Sequence, residues 1–504
     1  MSNQSTRTEI GQSVAQNMSV MFGAQVVTWG SSFLLLYFLP RYLGPEDFGR
    51  LYLALSIKMI LGLFIDFGGN YLIPKEVARS SAKGESILNS YILFRIALWA
   101  LSIGLLLLFS NLLGYSQHIN LLILILVIAK LWEGLSSAFD AYFEGIEKME
   151  YPSFGKIVEK VFVAVFAIGA LLLGADSIGV AIVMCIGALL NLIVIYVFSK
   201  RVIRIQYKFD PEFFSLFKSG MPFFLFSLFS VIYYRIDAVM LASFTTEQVT
   251  GWYGGAFRFF DIVMVLPLLY KTAIFPVFSK LWDNKQGVLE STIGHSMRLM
   301  ILLGMPAATL IYIFSEPIIH FFMGLEEYRP SIIILKIFAL SIPFIYLDII
   351  LGSALMGAAN RQKAWAVIGL IAIFINVAIN WMLIPYTQLI YLNGGIGAAI
   401  ATLFTEIFVM IAALSLLPRE YLKTFKFSYL IKPFLATIVM GIPVILILNY
   451  TGIFWWIVMP FAVVLYLISL IMLKTFNEVE LNLLKDFSTK SIKNTLSHIK
   501  YLNK

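Results

Sequence analysis

The chain is 504 residues long, 60% hydrophobic and only 13% charged, with a mean hydropathy of +0.87, against about 25% charged residues in soluble domains. That balance excludes an ordinary soluble enzyme and places the chain in a bilayer as one polytopic domain. A net charge of +8 does not mark a nucleic-acid binder, because the basic residues fall in short segments between apolar runs, and the single cysteine, Cys185, excludes a disulfide framework.

In chain order, the polar segment 1–16 lacks a small-residue cleavage site and is expected to stay on the cytoplasmic side. Apolar stretches of about 20 residues, each long enough to cross the hydrocarbon as a helix, then follow at approximately 17–39, 50–72, 87–111, 118–141, 154–174 and 177–199. Six more lie at approximately 219–243, 252–278, 296–315, 331–357, 364–384 and 395–417, with a last pair near 430–449 and 453–473. The expected fold is therefore an all-α integral membrane protein of about 14 transmembrane helices, in two six-helix pseudo-repeat lobes plus a C-terminal helix pair. Its divisions are a cytoplasmic N-terminal segment (approximately 1–16), an N-lobe (17–208), a C-lobe (209–420), spans 13–14 (421–474) and a cytoplasmic tail (475–504). The tail mixes lysines with spaced Leu, Ile and Phe and reads as a basic amphipathic helix on the inner membrane surface.

Loop charges orient the spans. With the N-terminus inside, the inner loops contain PKEVARSSAKG, GIEKMEYPSFGK, KRVIRIQYK, KLWDNKQG, NRQK and REYLKTFK, while the outer loops hold little basic charge beyond Arg41, Arg50 and Arg329. Roughly twenty Lys/Arg inside against about three outside follows the positive-inside rule and puts both termini in the cytoplasm. A shift of about 200 residues also sets FGRLYLALSIK beside TGWYGGAFRFF, aligning Gly49 near Gly251, Tyr52 near Tyr253 and Lys58 near Arg258, as two parallel halves would.

Charges inside the spans are expensive and hence functional candidates. In YYRIDAVML, Arg235 and Asp237 lie two apart on one helix, point in different directions and cannot neutralise each other. Both fall about 10 Å below the outer end of span seven, level with Arg258 and Asp261 of span eight. Cross-pairing is expected: Arg235 with Asp261, and Asp237 with Arg258. Lys58 and Lys336 fall at comparable depth, and Arg95, Asp66, Lys130, Glu133, Asp140, Asp348 and Glu406 are further intramembrane charges without an assigned partner. A cluster of cations at one level implies a cavity holding water or anions, whereas a buried network locking two helices in register accounts for the same residues; both readings stand.

No G-x-x-x-x-G-K-[ST] loop, H-E-x-x-H or paired-cysteine site occurs, the four histidines are scattered, and large extramembrane loops are lacking, which weighs against ATP hydrolysis and membrane glycosyl transfer. Prolines within spans at Pro222, Pro267, Pro306, Pro343, Pro443 and Pro460 are expected to bend helices.

At FLPRYLGPEDFGRLYLA, YYRIDAVML, TGWYGGAFRFFD, FPVFSKL and GSALMGAANRQKAWAVIGLIAIFINVAINWMLIP the chain resembles the polysaccharide-export branch of the multidrug/oligosaccharidyl-lipid/polysaccharide exporter superfamily. The resemblance implies a non-enzymatic flippase of the cytoplasmic membrane for lipid-linked oligosaccharide repeat units, such as those destined for O-antigen, working by alternating access. It implies no cofactor, but coupling to proton, sodium or membrane potential; the partners would be the lipid-linked substrate, membrane lipids, a polysaccharide polymerase and a chain-length regulator, and no nucleic acid. Lys58, Arg95, Arg235, Arg258 and Lys336 are then the candidates for attracting the anionic headgroup, and Asp66, Asp237 and Asp261 for charge balance or ion coupling. Span one carries no ionisable residue, which departs from the murein-precursor and multidrug branches. A cation-coupled multidrug exporter of the same fold is the alternative, and a membrane enzyme of glycan assembly a further one.

Overall fold

A computed structural model describes residues 2–67, 69–203, 209–210, 212–282, 286–324, 326–418, 420–421, 428–450 and 454–475. The chain is an all-α integral membrane protein. Its helices are α1 (Ser2–Asp66), α2 (Gly69–Arg79), α3 (Ser81–Leu113), α4 (Gln117–Gly145), α5 (Glu150–Leu172), α6 (Ser177–Ser199), α7 (Glu212–Phe244), α8 (Glu247–Trp282), α9 (Gln286–Met323) and α10 (Pro330–Asp348). The last of these runs through a π turn (Ile349–Leu355) into the short α11 (Met356–Ala358); α12 (Gln362–Tyr391), α13 (Gly394–Leu416), α14 (Ser428–Tyr450) and α15 (Trp455–Met472) follow. Each of the fourteen expected spans lies on a helix, spans one and two sharing α1, and eleven helices among the described residues are long and apolar enough to cross a membrane. The expected tail helix falls beyond residue 475, outside the described residues.

Two joints differ from expectation. Spans one and two, expected to be separated by a loop, run as two arms of α1 that meet at Gly44, whose φ of 68° and ψ of 172° only a residue without a Cβ adopts readily. Span two, expected to reach residue 72, stops at Asp66: Phe67 turns to a positive φ, and residues 69–79 form the separate helix α2. Amphipathicity explains α2, since Ile73 and Val77 are buried while Lys75 and Arg79 stay exposed.

The chain falls into two compact units. The first comprises Met1–Asp261, Ile318–Phe338 and Ala366–Thr405, the second Ile262–Pro317, Ala339–Trp365 and Glu406–Lys504. In the first, α4 packs along α6, and α1 along α4 and α5. Ile73, Val77, Leu88, Tyr91, Phe139, Tyr142 and Phe213 form a buried cluster of α2, α3, α4 and α7. Lipid offers apolar side chains no reason to leave it, so such contacts gain from close packing rather than from burial.

At the end of this unit that carries Gly44, α1 crosses α8 backbone to backbone. A Cβ on Gly49 would collide with the Glu247 carbonyl, and one on Gly251 with that of Pro45. Arg41 Nη2 donates to the Phe321 carbonyl at 2.5 Å, Trp252 Nε1 to that of Glu327 at 2.6 Å and Asn393 Nδ2 to that of Pro330 at 3.2 Å, so the connecting segments of this end are tied to one another. In the second unit the Tyr466 hydroxyl donates to the Leu302 carbonyl at 3.0 Å, Arg298 donates to the Thr475 carbonyl and lies over the Tyr429 ring, and the π turn sets Gly352 against the Trp365 indole.

Candidate translocation site

The second arm of α1 carries Lys58, Gly62 and Asp66 at four-residue spacing, so one helical face bears a cation, a gap and an anion. Opposite, α4 presents Glu133 and Lys130. Lys58 Nζ meets Glu133 Oε1 at 2.5 Å, and Lys130 Nζ meets Asp66 Oδ2 at 2.8 Å. Glycine at position 62 leaves room for the Lys130 stem. These pairs are not sealed: the Glu133 side chain is 30% exposed and that of Asp66 22%.

Arg95 of α3 differs. It is fully buried, donating to the Gly134 carbonyl, the Ser137 hydroxyl at 2.6 Å and the Tyr91 hydroxyl, with Asp66 Oδ1 at 3.2 Å. Its guanidinium stacks 4.2 Å from the Tyr91 ring centroid. That set ties α3, α4 and α1 together, and Asp66, held from two sides by Lys130 and Arg95, is its centre.

On α7, Arg235 and Asp237 do diverge. Arg235 reaches Asp261 of α8, Nη2 to Oδ2 at 3.6 Å, as the sequence predicts. Its Nη1 donates to the Tyr52 hydroxyl at 3.4 Å, and its guanidinium carbon stands 5.3 Å from the Phe257 ring centroid. The second expected pair, Asp237 with Arg258, does not form. Asp237 is buried and accepts three neutral donors: the Tyr253 hydroxyl at 2.7 Å, Asn380 Nδ2 at 2.7 Å and the Thr402 hydroxyl at 3.0 Å. Asn380 Nδ2 also donates to Asn376 Oδ1 at 2.9 Å. Two positions along a helix amount to a rotation of about 200°, which carries Asp237 away from Arg235 and toward α12 and α13.

Arg258 instead lies over Phe48 of α1, 5.1 Å from the ring centroid. Phe48 also meets the Tyr328 ring edge-on, at 6.3 Å. Burial pushes the Tyr328 phenol well above its ordinary range, with the Arg258 charge pulling the other way, so the hydroxyl stays protonated. Lys336 is partly buried on α10. The charges left unassigned by the sequence find places too. Asp140 faces Lys156 at 3.6 Å; in the second unit Asp348 and Glu406 are buried, and Lys271 Nζ donates to the Ser353 hydroxyl at 3.1 Å on the π turn.

The structure thus brings Lys58, Lys130, Glu133 and Asp66 together on one face, and Arg235, Asp261 and Tyr52 on another. It gives Asp237 a closed shell of neutral donors. Tyr52, Tyr253, Asn376, Asn380 and Thr402 escaped the charge-based reading. The spacing of Asn376 and Asn380, one turn apart in an otherwise apolar span, was the available signal. Chemically, lysines and arginines paired to partly exposed carboxylates can exchange those partners for phosphate oxygens without leaving a bare charge in hydrocarbon.

A family model described as polysaccharide biosynthesis protein matches residues 14–282, more than half of the chain. The chain belongs to the polysaccharide biosynthesis protein family. A second model, MatE, matches residues 222–382. Among relatives of this family, a Haloferax volcanii protein described as a probable low-salt glycan biosynthesis flippase, Agl15, is 25% identical over 429 residues, 82% of this chain and 85% of its own. A structure titled lipid II flippase MurJ, inward closed conformation, superposes with a TM-score of 0.71 at 19% identity, covering 92% of this chain and 99% of that one. An inward-facing multidrug resistance MATE family transporter of the MOP superfamily gives a TM-score of 0.63 at 16% identity, over 76% and 94% of the two chains. These two likenesses establish a shared fold, and the family placement makes the chain a multi-pass membrane transporter rather than an enzyme.

Proposed function

We propose that the protein is a flippase that moves lipid-linked oligosaccharide repeat units, carried on polyprenyl phosphate or pyrophosphate, across the cytoplasmic membrane by alternating access for surface polysaccharide synthesis. The observation that carries the reading is the pair of partly exposed ionic faces held within apolar helices, Lys58–Glu133 with Lys130–Asp66, and Arg235–Asp261. Moving a charged sugar headgroup through bare hydrocarbon is prohibitive, and such faces supply cations for its phosphates while the lipid stays in the bilayer. The names of the Agl15 and MurJ relatives favour the same class of cargo. Lys58, Lys130, Arg235, Arg258 and Lys336 are assigned to headgroup attraction. Arg95 is assigned to positioning Asp66, because no part of it is exposed. Asp66, Asp237 and Asp261 remain the carboxylates proposed to balance charge or couple transport to a proton or sodium ion.

The distribution of loop lysines and arginines favours a cytoplasmic location for both termini, and it directs the Gly44 end away from the cytoplasm. On that orientation, the ties at the Gly44 end lie on the side away from the cytoplasm. The test is genetic. Deletion is expected to cause undelivered lipid-linked oligosaccharide to accumulate on the inner leaflet. Complementation is expected to fall at least tenfold with Arg235→Ala or Asp261→Ala, the scale of one lost charge-assisted contact, and to recover in part when the two residues are exchanged. Full complementation by both single variants removes the pair from the mechanism. A cation-coupled multidrug exporter, favoured by the MatE match over 222–382, predicts drug sensitivity of the deletion strain in place of lipid accumulation.

A further inference from the structure

Tyr52 occupies a position that neither the charge pattern nor the family assigns. On α1 it lies one turn beyond Gly49, the residue that presses its backbone against α8. Its ring fills the space beside Gly254, which in turn lies one turn beyond Gly251. The α1–α8 crossing therefore has two courses: glycine against backbone at the tip, and the Tyr52 ring against glycine just beneath. Tyr253 and Phe257 hold that ring from the side, at 6.5 and 6.4 Å between centroids.

The only hydrogen bond given to the Tyr52 hydroxyl among the described residues comes from Arg235, at 3.4 Å. Arg235 is itself poorly satisfied. Its bond to Tyr52 and its ion pair with Asp261 at 3.6 Å are both long, its Nε is buried without an acceptor, and its flat face rests on Phe257. A guanidinium has five donors in a planar fork that suits two oxygens of one phosphate. Held as it is, Arg235 gains more from an oxyanion than from its present neighbours.

We propose that Tyr52 is the latch that couples anion binding at Arg235 to opening of the Gly44 end. A phosphate or pyrophosphate group on Arg235 withdraws Nη1 from the Tyr52 hydroxyl. The hydroxyl is then buried without a partner, and the closed crossing bears the cost of that unpaired group. Releasing the ring from Gly254 lets water reach it, and α1 and α8 lose the lower course of their contact. Linkage makes the effect reciprocal: whatever loosens the latch raises anion affinity at Arg235. This deepens the flippase reading and rests on it only for the chemistry of the headgroup, because the test below uses inorganic pyrophosphate and no oligosaccharide.

Thr250 is 1% exposed within the crossing. The full chain carrying Cys185→Ser and Thr250→Cys reports on the seal through its rate of modification by a bulky maleimide in detergent. The parent rate is expected to be slow and to rise about tenfold with millimolar pyrophosphate, the scale of one charge-assisted hydrogen bond. Tyr52→Phe keeps the ring on Gly254 and removes only the hydroxyl. With and without pyrophosphate it is expected to react as slowly as the parent does without it, because no hydroxyl is left to be stranded, and to bind pyrophosphate more tightly; Arg235→Gln is expected to lose the response. Size-exclusion profiles and melting temperatures confirm that the variants are folded. A pyrophosphate response in Tyr52→Phe equal to that of the parent overturns the latch, as does a parent indifferent to pyrophosphate. A pyrophosphate response in a protein that fails to move lipid-linked oligosaccharide overturns the flippase assignment and leaves the latch standing.

Discussion

Asp237 answers the arginine two positions away by ignoring it. Its carboxylate takes donors from Tyr253, Asn380 and Thr402, so α8, α12 and α13 are each bound to α7 through one side chain. Asp237→Ala strands the Tyr253 hydroxyl, at about 1–3 kcal/mol for a buried group without a partner, and unties Asn380 and Thr402 from α7, though these keep Asn376 and the Ala398 carbonyl as acceptors. The expected outcome is a clear fall in thermal stability of the purified protein, whereas Asp237→Asn, which keeps an acceptor oxygen, loses less; equal melting temperatures for parent and Asp237→Ala would contradict the hub. The Arg235–Asp261 pair was legible in the sequence because depth and helix phase are arithmetic on residue numbers. The Asp237 shell was not, because counting charges overlooks neutral hydroxyls and amides. In low dielectric three such donors can satisfy a carboxylate as a cation would, and without the cost of burying a second charge.

Among the elements, α1 holds the largest departure from what the sequence predicts. A single residue, Gly44, replaces the expected loop between spans one and two. Its φ and ψ fall in a region essentially reserved for glycine, where a Cβ costs about 1–3 kcal/mol. Gly44→Ala is accordingly expected to lower the yield of folded protein and its melting temperature, whereas Gly23→Ala, in open helix with nothing within 4 Å of the added methyl, is expected to be neutral. An unchanged melting temperature in Gly44→Ala would show that the joint can relax. Elsewhere each expected span falls inside or along a helix, since length against bilayer thickness is a strong constraint, but several helices run on past it, α9 from Gln286 to Met323 against an expected 296–315. The short helix α2 hid within an inner loop of mixed charge, where 11 residues are too few to stand out as a span. Gly49 and Gly251, which a shift of about 200 residues sets near each other in the sequence, are the two glycines that meet at the crossing.

At the scale of the whole molecule, family membership makes the chain a membrane transporter, and its fold is shared with structures titled as a lipid II flippase and a multidrug resistance transporter. The loop charges and the ionic faces within the first unit are what the proposed orientation and the proposed cargo rest on. Composition already excluded a soluble enzyme, and the resemblance in the YYRIDAVML and TGWYGGAFRFFD segments already pointed to the family. The residues around Asp237 leave no such trace, because they are gathered from spans distant in the sequence. The most direct measurement is translocation by the purified protein in liposomes carrying a fluorescent polyprenyl-pyrophosphate oligosaccharide in both leaflets, read by accessibility of the label to an impermeant quencher. The account predicts that label on the inner leaflet becomes quenchable with the parent protein and not with Arg235→Ala. Label that stays protected with active, folded parent protein, alongside uptake or expulsion of a small cationic drug, would contradict it.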